Sequence, residues 1–179
     1  MIEDIGLFGA YARKNEEEMV NEMEAALKQL KLTYERKKNV IFIPASDAQL
    51  SYTLKARPML NSYELSAALP FNESSCPNTS LWFAELKTKE YSKGNGEVSI
   101  SYDLKKSVLS CVGKIRSGRN KEQLFLELLG RLDRAIKDDW PDFEALSKGV
   151  ISETVLQEAR ENIYPVVKEV EQSLKTNEA

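Results

Sequence analysis

Histidine is missing altogether from the 179 residues. With it go the commonest general base, the commonest transition-metal ligand and every Ser–His or Cys–His nucleophile pair. Cysteine is scarce: Cys76 and Cys111 are too few for a disulfide framework and lack metal-ligand spacing, which points to reduced thiols in a cytosol-like compartment. No apolar run approaches the roughly 20 residues of a membrane-spanning helix, and the acidic start Met1-Ile2-Glu3-Asp4 lacks the basic stretch of a secretory signal. The sequons at Asn72 and Asn78 therefore read as chance. Glycine forms no phosphate cradle, because Gly94-Asn95-Gly96 has two glycines without a third and precedes a strand. The net charge of −3 supplies no bulk basic field for nucleic acid. No cofactor is expected.

What is present is an apolar fraction of 42% in a chain long enough for one sizeable core. Residues Ile2 to Ala12, interrupted by Gly6 and Gly9, suit a short docking helix or a frayed arm. From Asn15, a candidate N-cap, Glu16 to Glu18 occupy a first turn, and Met19, Met23, Ala26, Leu27 and Leu30 make one apolar stripe of a helix. Thr33-Tyr34-Glu35 is a possible first strand, and Val40–Ile43, Leu50–Lys55 and Ser62–Ala67 read as an antiparallel meander. A helix capped by Asn78, Thr79 or Ser80 carries Leu81, Trp82, Phe83 and Leu86. Val98–Leu104 alternates at period two and pairs with Val108–Ile115 as a hairpin. Asn120 opens the strongest helix, with Leu124, Phe125, Leu128, Leu129, Leu132 and Ile136 on one stripe and Pro141 as its limit. A last helix spans Ser152 to about Leu174, with a kink at Pro165.

The fold class is thus α+β: an antiparallel sheet in the order helix, three strands, helix, two strands, helix, with an additional C-terminal helix. Residues 1–149 form the α+β domain with its N-terminal arm, and residues 150–179 a helical extension. A sheet with so few helices to cover it often leaves one face for another molecule.

This order resembles the fold shared by type III secretion chaperones and YbjN-like bacterial proteins, a group of sensory transduction regulators. The residues that carry it are the helix Met19–Leu30 followed closely by Tyr34 and Val40–Ile43, and the hairpin Val98–Leu104 and Val108–Ile115 leading into Leu124–Ile136. It covers roughly residues 15–140 by element order and hydrophobic pattern. The resemblance implies a small, commonly dimeric, non-enzymatic protein, and among its chaperone members the binding of extended segments of other proteins. The helix Ser152–Leu174 departs from the minimal pattern and puts the usual mode of dimerisation in question.

Three groups of residues invite chemistry. Asp138, Asp139, Asp142 and Glu144 offer the oxygens a hard cation wants but lack EF-hand spacing and its glycine. They read first as solvated acidic surface, and the alternative is a divalent-metal hydrolase or transferase centred on Asp138, Asp139 and Asp142. Lys114, Arg116, Arg119 and Lys121, with Lys105 and Lys106 nearby, read first as an ordinary solvated loop; the alternative is an acidic ligand or nucleic acid, but no aromatic residues interleave with them as a stacking platform needs. Trp82 and Phe83 are adjacent, so both cannot sit at the centre of one buried helix face; they read first as core residues, one of them at the margin, and an exposed aromatic there would be a contact hot spot. The stripe of the last helix either closes the protein's own core or pairs with a second chain. The expectation is a cytoplasmic, dimeric, non-enzymatic protein-binding or chaperone-like module. Its contacts would be Trp82, Phe83, Val166, Val170 and Leu174, and its partner a protein or a second copy, with neither nucleic acid nor membrane.

Overall fold

Helix formation begins earlier than Asn15. In the computed structural model, which describes residues 2–45, 50–70, 75–92, 98–103, 106–115 and 118–177, α1 runs unbroken over Ile2–Gln29. Asn15 lies within it and caps nothing. Gly6 and Gly9 each cost about 1 kcal/mol in a helix interior, but extending a docked helix requires no new nucleus. The side chains of residues 2–14, 164–167 and 177 lie outside the described ones, as do the Gly94-Asn95-Gly96 turn, Lys105 and Arg116.

The strands follow the alternation of the sequence. β1 (Glu35–Lys37), β2 (Val40–Pro44), β3 (Ser51–Arg57) and β4 (Ser62–Ala68) form a four-strand meander, one strand more than the three firm runs, and β5 (Val98–Asp103) and β6 (Val108–Lys114) form the hairpin. All pairs are antiparallel and the sheet order is β1-β2-β3-β4-β6-β5. Lys38 turns the first hairpin at φ 56°, and Asn61 joins β3 to β4 at φ 45°, a conformation asparagine tolerates.

One sheet face carries Ile41, Ile43, Tyr52, Leu54, Tyr63, Leu65, Leu109, Cys111, Val98 and Ile100, all buried. Against it lie Met19, Val20, Met23 and Leu27 of α1 and Leu124, Phe125, Leu128 and Leu132 of α3 (Lys121–Ser147). Asn120 caps α3 as expected, its side chain accepting from the Gln123 amide at 2.8 Å. The opposite face presents Thr53, Ser66, Ser110 and Ser101 in one register row. None of the four is buried, the usual arrangement of an antiparallel sheet layered on one side.

Pro141 does not end α3, which continues to Ser147. An interior proline costs about 3 kcal/mol. The two turns beyond it bury Phe143 and Leu146, each side chain stabilising by about 1.5–3 kcal/mol, so burial outweighs the lost hydrogen bond. α2 covers Pro77–Ser92, with its proline in the tolerated first turn rather than a cap at Asn78 to Ser80. The C-terminal segment is two helices, not one kinked helix: α4 (Glu153–Asn162) and α5 (Tyr164–Asn177), separated by Ile163. Pro165 sits in the first turn of α5, where its missing N–H disturbs nothing.

Candidate protein-docking surface at the α2–α4 junction

α2 turns Phe83, Ala84 and Lys87 inwards, the i, i+1, i+4 positions of one face. Phe83 meets Phe143 edge-on at 5.0 Å between centroids, and Leu146 and Val155 complete a small second core. Phe83 is fully buried and is a core residue of the monomer, which corrects its expected place among surface contacts. Trp82, one position earlier, is rotated about 100° round the helix and is half-buried at the margin.

There Trp82 and Thr79 of α2 face Ile151, then Leu156 and Ala159 of α4 and Ile163 just beyond it, across a groove of about 360 Å³ that Val155 also lines. Of its lining, Ile151 and Ile163 are 43% and 39% exposed, and Leu81, next to Trp82 in the chain, is 55% exposed. On α5, every side chain from Lys168 to Thr176 is exposed, including Val170 at 54% and Leu174 at 61%. Val166 belongs to the same stripe by spacing, but its side chain lies outside the described ones.

α4 is held to the body by polar contacts as well as by Val155. Ser152 caps it, accepting from the Val155 amide at 3.2 Å, and donates its hydroxyl to Asp142. Lys87 Nζ reaches Glu158 Oε1 at 2.5 Å, Glu90 Oε2 at 3.1 Å and Asp139 Oδ1 at 3.5 Å, and lies 5.4 Å from the Phe83 ring centroid. Tyr102 donates to Asp139 Oδ2 at 3.0 Å. Burial alone would pull the Lys87 ammonium down, but its hydrogen bonds to Glu158 and Glu90 and the nearby Asp139 charge outweigh it and hold Lys87 above the ordinary lysine value. Burial pushes the Asp139 carboxyl up, against the pull of Lys87, Tyr102 and Tyr91. Burial and then Asp139 raise Tyr102. One lysine thus ties α2, α3 and α4 together.

This arrangement changes the acidic cluster. Asp138 and Glu144 are exposed, but Asp139 and Asp142 are buried and partnered, by Lys87 and Tyr102 in one case and by Ser152 in the other. The carboxylates do not converge, and among the described residues no group of three or more acidic or cysteine side chains is placed to hold a metal ion. The basic segment is likewise divided. Arg119 pairs with Glu127, Lys121 with Glu22 at 3.4 Å, and Lys114 is exposed at the end of β6. Arg116 lies outside the described residues. Cys111 is buried in the main core, and burial pushes its thiol up to about 12; Cys76 is half-buried against the second core. Lys87 escaped notice in the sequence; its one signal is a position four residues after Phe83, on the face that also buries Ser80 and Ala84.

Among the described residues no helix is long and apolar enough to cross a membrane. No protein-family model matches the chain, and no curated protein matches it. Solved structures similar to it include the crystal structure of the ExsC–ExsE complex, at a TM-score of 0.46 and 12% identity over 74% of this chain and 96% of that one. Another is the HopA1–SchA chaperone–effector complex, at 0.42 and 14% over 72% and 91%.

Proposed function

We propose that this chain is a non-enzymatic, chaperone-like protein-binding module of the cytoplasm that self-associates, with Trp82 and the stripe Val166, Val170 and Leu174 as its contact surface. The reading rests on α5. A helix of 14 residues is marginal in water by itself, because most helix stability in proteins comes from packing of an apolar face. The described side chains of α5 gain no such packing in the monomer, and its Val170 and Leu174 stand in solvent four residues apart. Trp82, Ile151 and Ile163 line the α2–α4 groove with apolar surface, and Ile151 and Ile163 are exposed; apolar patches of this kind mark protein contacts. The two unbonded cysteines suit a reducing compartment.

Light scattering behind a sizing column tests the reading on the full chain and on Val170→Asp/Leu174→Asp. Both positions are exposed, so the variant keeps the monomer's fold and its circular dichroism. The expected result is a dimer for the natural chain and a monomer for the variant. A natural chain that elutes as a monomer across the concentration range would overturn self-association through α5.

A further inference from the structure

We propose that the α2–α4 groove is filled by α5 of a second copy, each chain lending its C-terminal helix to the other. This rests on the protein-binding reading above and names the partner. Two apolar surfaces on one chain lack cover: the groove walled by Trp82, Leu156, Ala159 and Ile163, and the α5 stripe with Val170 and Leu174.

The chain cannot bring them together by itself. Only Ile163 separates α4 from α5, and it keeps right-handed helical angles, φ −95° and ψ −46°. A helix that folds back on its predecessor needs a loop of about 2–5 residues. α5 therefore leaves the groove wall without reversing, and its exposed Val170 and Leu174 are out of reach of their own groove. In a two-fold pair the same two surfaces meet twice, groove to stripe and stripe to groove, which closes both and leaves nothing to propagate into a fibre.

Charge agrees with this pairing. Glu169 and Glu171 flank Val170 on either side of the stripe, and both are exposed. Arg160, one turn after the groove-lining Leu156 on α4, is an exposed cation. An incoming α5 brings its acidic flanks to that arginine, while Lys168, Gln172 and Lys175 fall on the face turned away.

The test uses full-length chains and two kinds of variant. Val170→Asp/Leu174→Asp disables the stripe and leaves the groove intact. Ile151→Glu, and separately Ala159→Arg, disable the groove and leave the stripe intact. Ile151 lies outside the helices and is 43% exposed, so Ile151→Glu keeps the fold should Ala159→Arg not. Exchange predicts that each variant alone is monomeric, and that an equimolar mixture of stripe and groove variants regains dimers by sedimentation velocity, because one intact groove–stripe contact survives. If groove variants remain dimers while the stripe variant is monomeric, stripe pairs with stripe and the exchange is overturned, with self-association intact. A mixture that stays monomeric also overturns the exchange. A natural chain that is itself monomeric overturns both readings.

Discussion

Replacing Lys87 by methionine should be the most costly single change on the surface that holds α4, and its cost should depend on pH. Methionine keeps the apolar stem against Phe83 but removes the cation that Glu158, Glu90 and Asp139 share. Glu90 is 60% exposed on its side chain and returns to water, whereas Asp139 is only 4% exposed and Glu158 20%. Glu158 Oε2 is already buried without a hydrogen-bond partner, so little is left to satisfy that carboxylate. Breaking a buried pair from one side costs about 3–5 kcal/mol. Partial hydration of Glu158 places this case at the lower end, about 3 kcal/mol, or a fall of about 6–12 °C in Tm for a chain of this size.

The sign of the pH dependence follows from Asp139. Its folded-state pKa is already raised above the ordinary 3.8 by burial, and loss of Lys87 removes a contribution that lowers it. A carboxyl with a raised folded pKa binds more protons folded than unfolded, so stability falls as pH rises through that value and returns as pH falls back towards the unfolded one. The deficit of Lys87→Met should thus be full at neutral pH and shrink in mild acid, and Asp139→Asn in the same background should recover part of it. Urea unfolding followed by circular dichroism at both pH values measures this, with the slope m unchanged. Equal stability at neutral pH, or a deficit that does not change on acidification, would refute the reasoning.

Three further outcomes follow from the packing. Gly113→Ala should destabilise by about 1–3 kcal/mol, seen as a lower urea midpoint, because an added Cβ would lie 2.8 Å from Leu124 Cδ1 and 2.9 Å from Leu128 Cδ2. Val155→Ala should cost about 2 kcal/mol and, in amide exchange, loosen α4 while leaving the sheet protected. The Arg36 hydrogen bond, followed by that of the Tyr34 hydroxyl, holds the Glu24 carboxyl below its ordinary 4.5. Its contribution is present above that value and is lost as pH falls through the folded one, so Glu24→Gln should lose less stability than the natural chain on acidification, as read from thermal melts.

The sheet and the long helices are legible in the chain because burial on one face imposes a period. Val98-Ser99-Ile100-Ser101 alternates, and Leu124, Phe125, Leu128 and Leu132 repeat at helical spacing. Pro141 misleads because its local cost is visible in sequence while the burial of Phe143 and Leu146 against Phe83 is not. Asp139 and Asp142 look like solvated carboxylates for the same reason. Their partners, Lys87, Tyr102 and Ser152, stand 52, 37 and 10 positions away, and only tertiary structure brings them together. The adjacency of Trp82 and Phe83 did carry information, since two neighbours on a helix cannot share one buried direction. Which of them turns inwards was decided by Phe143, on another element.

The central claim is that α5 is a contact surface, and the amide protection of α5 measured against protein concentration tests it most directly. The account predicts that amides of α5 exchange quickly in dilute solution and slow markedly as concentration rises, while those of β4 and β6 stay protected throughout. Fast exchange of α5 at every concentration would contradict it.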